Sequence, residues 1–263
     1  MKAYRPVILT VLAILIIGCE EKAFNPAIPK GPDFSLTPME NEEAELAAIF
    51  LSEELIAPVQ LYKQFRDEVL LIRNTWEDSK YHTEIEFTTP YIMSEVLIIT
   101  SGAVYDSMQS GNYHHWDSLN SYYRLDSIRF YFRSDDYSML TIRFKGRLNS
   151  NILAEKYIVL PGIRYAELNY LVGEFPVILP IRFGDEIKYF FNYAHEDCFD
   201  GCDYYDLFYF TVTDGFAIYH GSYSFNVWEI PPPEPLWFDT ARMAYLEYFG
   251  IHPVTQKRNA LWH

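Results

Sequence analysis

The sequence has few basic residues and no clustered glycines, and each shortage argues against a class of function. Its 12 glycines all occur singly, so the chain lacks the glycine-rich loop that cradles nucleotide phosphates in many proteins. Lys and Arg number 21 against 36 acidic residues, which gives a net charge of −15. Because nucleic acid is bound through Lys and Arg patches, we expect no nucleic-acid partner.

Long hydrophobic runs are also missing, apart from one short run near the N-terminus. Residues 7–17 (VILTVLAILII) form an apolar stretch of eleven residues, whereas a membrane-spanning helix needs about 20. Lys2 and Arg5 precede this run, and Gly18 follows it. A short basic region, an apolar run of this length and a small residue after it are typical of a signal peptide.

The segment at residues 16–19 (IIGC) resembles the lipobox of bacterial lipoproteins. In that family the cysteine is acylated on sulfur and becomes the first residue of the mature protein. The resemblance implies that residues 1–18 are a signal peptide, that Cys19 carries a lipid, and that residues 19–36 are a tether. It also implies export and lipid anchoring to the bacterial cell envelope, at the periplasmic or surface face of the outer membrane.

Cysteine is scarce, with three residues in all. If Cys19 is acylated, Cys198 and Cys202 remain as an even pair in a compartment that permits disulfides. Redox-active pairs usually have two intervening residues and a following helix, so we predict a structural disulfide here. A zinc site that includes His195 would compete for the same thiols, and an oxidising envelope favours the disulfide.

The segment around these cysteines is acidic and contains a glycine. Asp197, Asp200 and Asp203 are candidate ligands for Ca²⁺, which prefers oxygen ligands. Their spacing does not match an EF-hand loop. A solvated acidic loop without metal is the competing interpretation in a chain this negative, so no cofactor is assigned and Ca²⁺ stays an alternative.

A helical region is predicted for residues 37–94. Thr37-Pro38-Met39-Glu40 has the form of a capping box at a helix start, and Ala57-Pro58 interrupts the helical pattern. A second amphipathic helix follows and ends near Trp76. Its apolar positions recur at helical spacing: Leu61, Tyr62, Phe65, Val69 and Ile72.

Residues 95–172 follow the order β-α-β-β-α-β. Strand patterns occur at 95–100, 128–133, 140–145 and 163–168, and helical patterns occur at 103–109, at 115–123 and after a cap at Asn149 or Ser150. This order predicts a ferredoxin-like domain, in which two helices cover one face of a four-stranded antiparallel sheet.

Part of this domain resembles a known family. Residues 160–167 (LPGIRYAE) are similar to the last strand in the prodomains of subtilisin-type proteases, and the resemblance extends over residues 95–169. It implies the ferredoxin-like fold and a role as a protease inhibitor or folding helper. In those prodomains a C-terminal strand extension occupies the protease cleft. The corresponding candidate binding segment here consists of Ala166, Glu167, Leu168 and Asn169.

A wider pattern resembles a family of uncharacterised bacterial envelope lipoproteins. It includes Gly111-Asn112-Tyr113, Trp116-Asp117 and Gly201-Cys202. The resemblance covers most of the mature chain and implies no known activity.

Residues 173–230 predict an antiparallel β-meander that contains the disulfide-clasped loop. Strands are expected at 187–193 and 205–212, followed by a hairpin turn at Thr213-Asp214-Gly215. Beyond this turn, Gly221 is expected to separate two short strands.

Residues 231–263 begin with a proline-rich break and continue as a C-terminal helix at about 240–249. We expect this helix to pack against the domain through Met243, Leu246 and Phe249.

No group of residues with a catalytic pattern emerges. His220 precedes a glycine as in subtilisin-type enzymes, but only 43 residues follow it and no Gly-Thr-Ser nucleophile segment exists. We therefore place His220 in a hairpin turn. His114 and His115 lie near Asp117 without a nucleophile, which favours structural packing with helix capping by Asp117 over a general base.

The predicted fold class is α+β: an N-terminal helix pair, a ferredoxin-like sheet and an antiparallel meander. The predicted function is that of a noncatalytic binding or scaffolding module, held at the membrane by the lipid on Cys19, with an envelope protein as its partner. The 22 Tyr and 19 Phe residues suit a β-surface used for binding. A prodomain-like inhibitor or folding helper and an enzyme of unrecognised type are the alternatives.

Overall fold

The computed structural model describes residues 37–76, 81, 84–171, 176–196, 198 and 202–249. Within these residues the fold is mixed α+β, as predicted, with six helices and two four-stranded antiparallel sheets. None of the described helices is both long and apolar enough to span a membrane. The predictions for residues 1–36, including the signal peptide, Cys19 and the tether, lie outside the described residues.

Helices begin and end the described chain, and the strands fall into two consecutive groups of four. The first part contains α1 (Glu42–Ser52), α2 (Val59–Thr75), β1 (Glu95–Thr100), α3 (Gly102–Gln109), α4 (Asp117–Tyr122), β2 (Leu125–Phe132), β3 (Ser138–Phe144), α5 (Ser150–Tyr157) and β4 (Ile163–Glu167). The second part contains β5 (Val177–Phe183), β6 (Glu186–His195), β7 (Tyr204–Thr213), β8 (Phe216–Asn226) and α6 (Phe238–Tyr248).

α1 begins later than the capping-box pattern predicts. The backbone N–H of Ala44 donates to Oδ1 of Asn41 at 2.8 Å, so Asn41 is the N-cap and the predicted start at Thr37 is wrong. Asn caps helices at least as well as Thr, and here it directly precedes an acidic first turn that suits the helix dipole. α2 starts after Pro58, and its predicted end near Trp76 is confirmed.

The first sheet has the strand order β2-β3-β1-β4, and all neighbouring strands are antiparallel. β1 has its predicted bounds, and Asn149 caps α5 because its Oδ1 accepts from the N–H of Asn151 at 3.0 Å. One face of the sheet packs with α3, α4 and α5 into a core. The fully buried members of this core are Val96, Ile98, Leu140, Ile142, Leu148, Leu153 and Tyr157.

The second sheet is the meander β5-β6-β7-β8. β5 has no counterpart among the individually predicted strands, because the run Val177–Ile181 is buried on both faces and shows no alternation. β8 is one continuous strand, so the prediction that Gly221 separates two strands is wrong. Where the ladder passes from Tyr209 to Phe210, β8 contains one extra residue, His220, in a β-bulge beside Gly221.

Aromatic side chains cover both faces of the second sheet. On one face Trp76, at the end of α2, packs on Phe208 with ring centroids 4.7 Å apart. On the other face Trp237, before α6, packs on Tyr209 at 5.7 Å. Aromatic pairs contribute about 0.5–1.5 kcal/mol beyond the area that they bury, so these contacts hold the helices to the sheet.

Of the three residues predicted to pack α6 against the domain, two are buried or partly buried and one is exposed. Its buried residues are Phe238, Ala241, Ala244, Tyr245, Leu246 and Tyr248. Leu246 is buried as predicted, and Phe249 is partly buried against the same core. Met243 is 43% exposed, so its predicted packing role is wrong. Helical periodicity places Met243 away from the Ala241–Ala244 stripe that contacts the core.

The two cores do not follow the order of the chain. α1 and α2 share one core with β5–β8 and α6, although residues 95–171 separate them in sequence. The first sheet and its helices form the second core within that interval. In the order of the chain, the first sheet is therefore inserted between α1 and α2 and the meander that these two helices cover.

Arg147 joins the two cores. It follows β3 and forms ion pairs with Glu45 and Glu42 of α1. Nearby, the N–H of Asn149 donates to the carbonyl of Leu55 at 2.9 Å. The Glu45 side chain is only 9% exposed, so its carboxylate depends on this guanidinium and on the N–H of Met39 for its hydrogen bonds.

We expect Arg147→Met to lower the free energy of unfolding by about 2–4 kcal/mol, because it leaves the Glu45 carboxylate buried without its cation. Urea unfolding of the full chain measures this change. The matched control is Arg66→Met, whose ion pair with Asp67 is exposed and whose loss should change the free energy of unfolding far less, because water screens the pair. Equal effects of the two substitutions would contradict the role assigned to Arg147.

Candidate interaction surface

β4 lies at the edge of the first sheet. It is hydrogen-bonded to β1 on one side, and it is the last strand in the sheet order, so no described strand pairs with its other side. An edge strand presents unpaired backbone N–H and C=O groups that an additional strand can use. This edge is the first feature of the candidate surface.

The residues after β4 show which backbone groups face outward. The carbonyl of Asn169 accepts from the N–H of Ile92, and the N–H of Leu171 donates to the carbonyl of Pro90, both at 2.9 Å. Backbone groups alternate in direction along an extended strand. The backbone groups of Asn169 and Leu171 point toward residues 90–92. The backbone groups of Leu168 and Ala166 therefore point to the free side of the strand.

A groove of about 290 Å³ runs between this edge and α5. Its lining residues are Asn151, Ala154, Glu155, Ile158, Ala166, Glu167, Leu168 and Tyr170. The floor is therefore apolar, and Glu155 of α5 adds a carboxylate to the lining. We call this groove, together with the free side of β4, the β4–α5 groove.

The predicted binding segment divides between two places. Ala166, Glu167 and Leu168 line the β4–α5 groove, whereas the side chain of Asn169 donates to Oε1 of Glu95 at 2.7 Å and lies at a different cavity. Sequence reasoning missed the contribution of α5, above all Ile158. Helical periodicity marks the α5 face, but only the fold brings that face beside β4.

Exposed apolar side chains surround the groove. Val159, Tyr165, Tyr170 and Leu171 are each at least 44% exposed. A group of neighbouring apolar residues at a surface marks an interaction site more reliably than a single exposed one does. The groove and its rim thus have the composition of a contact surface for another chain.

The cysteine pair forms the predicted disulfide, Cys198–Cys202. Of the Ca²⁺ candidates, Asp197 and Asp200 lie outside the described residues. Oδ1 of Asp203 accepts from the indole N–H of Trp228 at 2.6 Å, so this carboxylate has a structural partner. The described part of the chain contains no group of three His, Cys, Asp or Glu residues suited to a metal ion.

The histidines considered as catalytic candidates have structural partners. Nδ1 of His114 lies 2.9 Å from Asp117, and both side chains are exposed. Asp117 is the first residue of α4, and no side chain caps that helix, so the predicted capping by Asp117 is wrong. His220 lies within β8 and not in a hairpin turn, because the bulge holds it against Thr211, with Nε2 2.9 Å from Oγ1.

Comparison with known proteins finds no relative: no protein family, no curated protein and no solved structure matches this chain. The function proposed below therefore rests on the geometry and chemistry of the described residues.

Tyrosines are buried beside the candidate surface and in both cores. Tyr91 pairs with Tyr170 of the groove, and burial raises the pKa of the Tyr91 phenol to about 12. Burial likewise raises the pKa of Tyr113 to about 12, and it raises the pKa of Tyr157 and Tyr189 as well. The folded state therefore binds phenolic protons more tightly than the unfolded state does.

We expect these tyrosines to contribute their whole share of the free energy of unfolding below pH 10. That free energy should fall as the pH rises from 10 to about 12. In that interval the unfolded chain loses phenolic protons that the folded chain keeps. Tyr91→Phe should recover roughly 1 kcal/mol at pH 11 and match the wild type at pH 8. Urea unfolding at both pH values tests this, and an unchanged pH slope in the variant would contradict it.

Proposed function

We propose that this protein is a noncatalytic binding module of the bacterial cell envelope, which takes an extended segment of a partner protein as an added strand along β4. The observation that carries this proposal is the free side of β4 next to an apolar groove. In strand addition the main chain supplies affinity and pockets for alternate side chains supply specificity. The β4–α5 groove offers both components.

The chemistry of the groove defines the segment that it accepts. Ala154, Ile158 and Leu168 provide a floor for one apolar side chain. Glu155 belongs to the same lining, and its carboxylate favours a neighbouring Lys or Arg in the partner. The preferred partner segment is therefore extended, with an apolar residue next to a basic one.

We further propose that the first sheet and its helices are ferredoxin-like. The element order β1-α3-α4-β2-β3-α5-β4 and the antiparallel strand order β2-β3-β1-β4 support this assignment. The same order supports the second candidate function, a prodomain-like protease inhibitor or folding helper. The chain after β4 is hydrogen-bonded to residues 90–92, so such an inhibitor would act through the free side of β4 and not through a loose extension.

Residue Cys19 is proposed as the attachment point of a lipid that holds the protein at the envelope membrane. The basic residues, the apolar run and the cysteine that follows it support this proposal.

We expect Cys19→Ser to move the protein from the membrane fraction to the soluble fraction of the cell envelope, because it removes the acylated sulfur. Fractionation and immunoblotting measure the shift. The matched control is Cys198→Ser, which opens the disulfide and should leave the protein in the membrane fraction. Retention of the Cys19 variant in washed membranes would contradict the lipid anchor.

Two substitutions test the β4–α5 groove in the full chain, crosslinked in native envelope extract and read by mass spectrometry. Ala166→Pro removes one outward N–H from an edge strand, which tolerates proline, and Ile158→Gln makes the groove floor polar. We expect each to reduce capture of the partner about tenfold, since each removes roughly 1–1.5 kcal/mol of binding free energy. Leu70→Gln is the control, because Leu70 is an exposed residue of α2 that lies outside the groove and its rim.

The outcomes separate the two functions. A stoichiometric partner that is lost with both groove variants and kept with the control supports the binding module. A captured subtilisin-type protease that the purified protein slows at micromolar concentration would favour the inhibitor. Equal capture of the partner by all three variants would contradict the assignment of the groove as the binding site.

A further inference from the structure

The face of the first sheet opposite α3 and α5 carries a second cavity, of about 330 Å³. It is lined by Ile92, Glu95, Ser127, Arg129, Tyr131, Thr141, Arg143 and Asn169. The ladder pairs Arg129 with Thr141 and Ser127 with Arg143, so the two arginines are diagonal neighbours on adjacent strands. Such neighbours lie about 7–8 Å apart, close enough for both guanidinium groups to reach one ligand.

These two arginines differ from the other arginines of the described residues. Five described arginines form ion pairs with carboxylates: Arg66, Arg73, Arg133, Arg147 and Arg242. By contrast, no ion pair or hydrogen bond within the described residues involves the guanidinium of Arg129 or Arg143. The contact of Arg129 is with the ring of Tyr131, at 5.9 Å from the centroid. Two adjacent arginines with no carboxylate partner among the described residues are candidates to bind an anion.

Glu95 supplies a negative charge in the same cavity. The register places it directly opposite Arg143, yet its carboxylate accepts from the side-chain amide of Asn169 at 2.7 Å instead. Glu95 is 8% exposed, so β1 and Asn169 hold this carboxylate in one orientation. The cavity therefore has two cationic groups on one side and a fixed carboxylate on the other.

We propose that this cavity binds a small zwitterion, an α-amino acid. Its carboxylate would accept charge-assisted hydrogen bonds from Arg129 and Arg143, and its ammonium group would donate to Glu95. The register places Glu95 directly opposite Arg143, so a small ligand with adjacent opposite charges can contact both side chains. The hydroxyl of Thr141 donates to the phenol of Tyr131 at 3.4 Å, and Tyr131 and Ile92 provide an apolar wall.

This site is separate from the β4–α5 groove. The two cavities have no lining residue in common, and they lie on different faces of the sheet. Binding of an amino acid and capture of a partner protein can therefore succeed or fail independently.

The test is a thermal-shift screen of the purified full chain, in mild detergent, against individual L-amino acids, followed by calorimetric titration of the strongest. We expect saturable binding that falls at least tenfold when the amino acid carries a C-terminal amide, and again when its amine is acetylated. Arg129→Gln and Arg143→Gln should each weaken binding at least tenfold. Arg182→Gln, on the second sheet, is the matched control and should bind as the wild type does.

Three results would overturn the proposal. The first is the absence of saturable binding by any amino acid at millimolar concentration. The second is unchanged affinity in both arginine variants, which are surface substitutions and should fold as the wild type does. The third is equally tight binding of acetate, which would make the site a general anion site without a role for Glu95.

Discussion

The second sheet must be covered on both faces, and the rest of the structure follows from this constraint. Its strands β5, β6 and β7 are buried over most of their length, and Val177–Ile181 of β5 is buried throughout. A sheet of this kind needs a layer on each side. The two layers come from opposite ends of the described chain, with Trp76 on one face and Trp237 on the other. After the first sheet, the strands β5–β8 must therefore pack against α1 and α2, which lie far earlier in the chain.

The first turn of α1 connects this helix to α2 and to the first sheet. Glu43 accepts from Arg73 of α2 and from the N–H of Phe87, while Glu45 pairs with Arg147 of the inserted sheet. An acidic first turn is favourable for a helix by itself. Here the same residues also attach α1 to its neighbour helix and to the second core. A local preference and long-range contacts thus act through the same side chains.

Helices cover the first sheet on only one face, and this difference leaves surfaces for binding. The free side of β4 and the groove along α5 remain accessible, and so does the opposite face with Arg129 and Arg143. The second sheet uses both of its faces for packing, around Trp76 on one side and Trp237 on the other. The second sheet is therefore mainly structural, whereas the first sheet presents the proposed binding surfaces.

Local periodicity and composition were sufficient to predict several features: the bounds of β1, the break at Pro58, the apolar stripe of α2 and the disulfide between Cys198 and Cys202. They did not reveal β5, because a strand buried on both faces lacks the alternation that identifies a half-buried one. The tertiary structure alone decided that α1 and α2 share a core with the meander, that His220 lies in a bulge, and that Ile158 lies beside β4. These outcomes depend on which apolar faces meet across long separations in the chain, and the periodicity of a segment shows that it has such a face without identifying its partner.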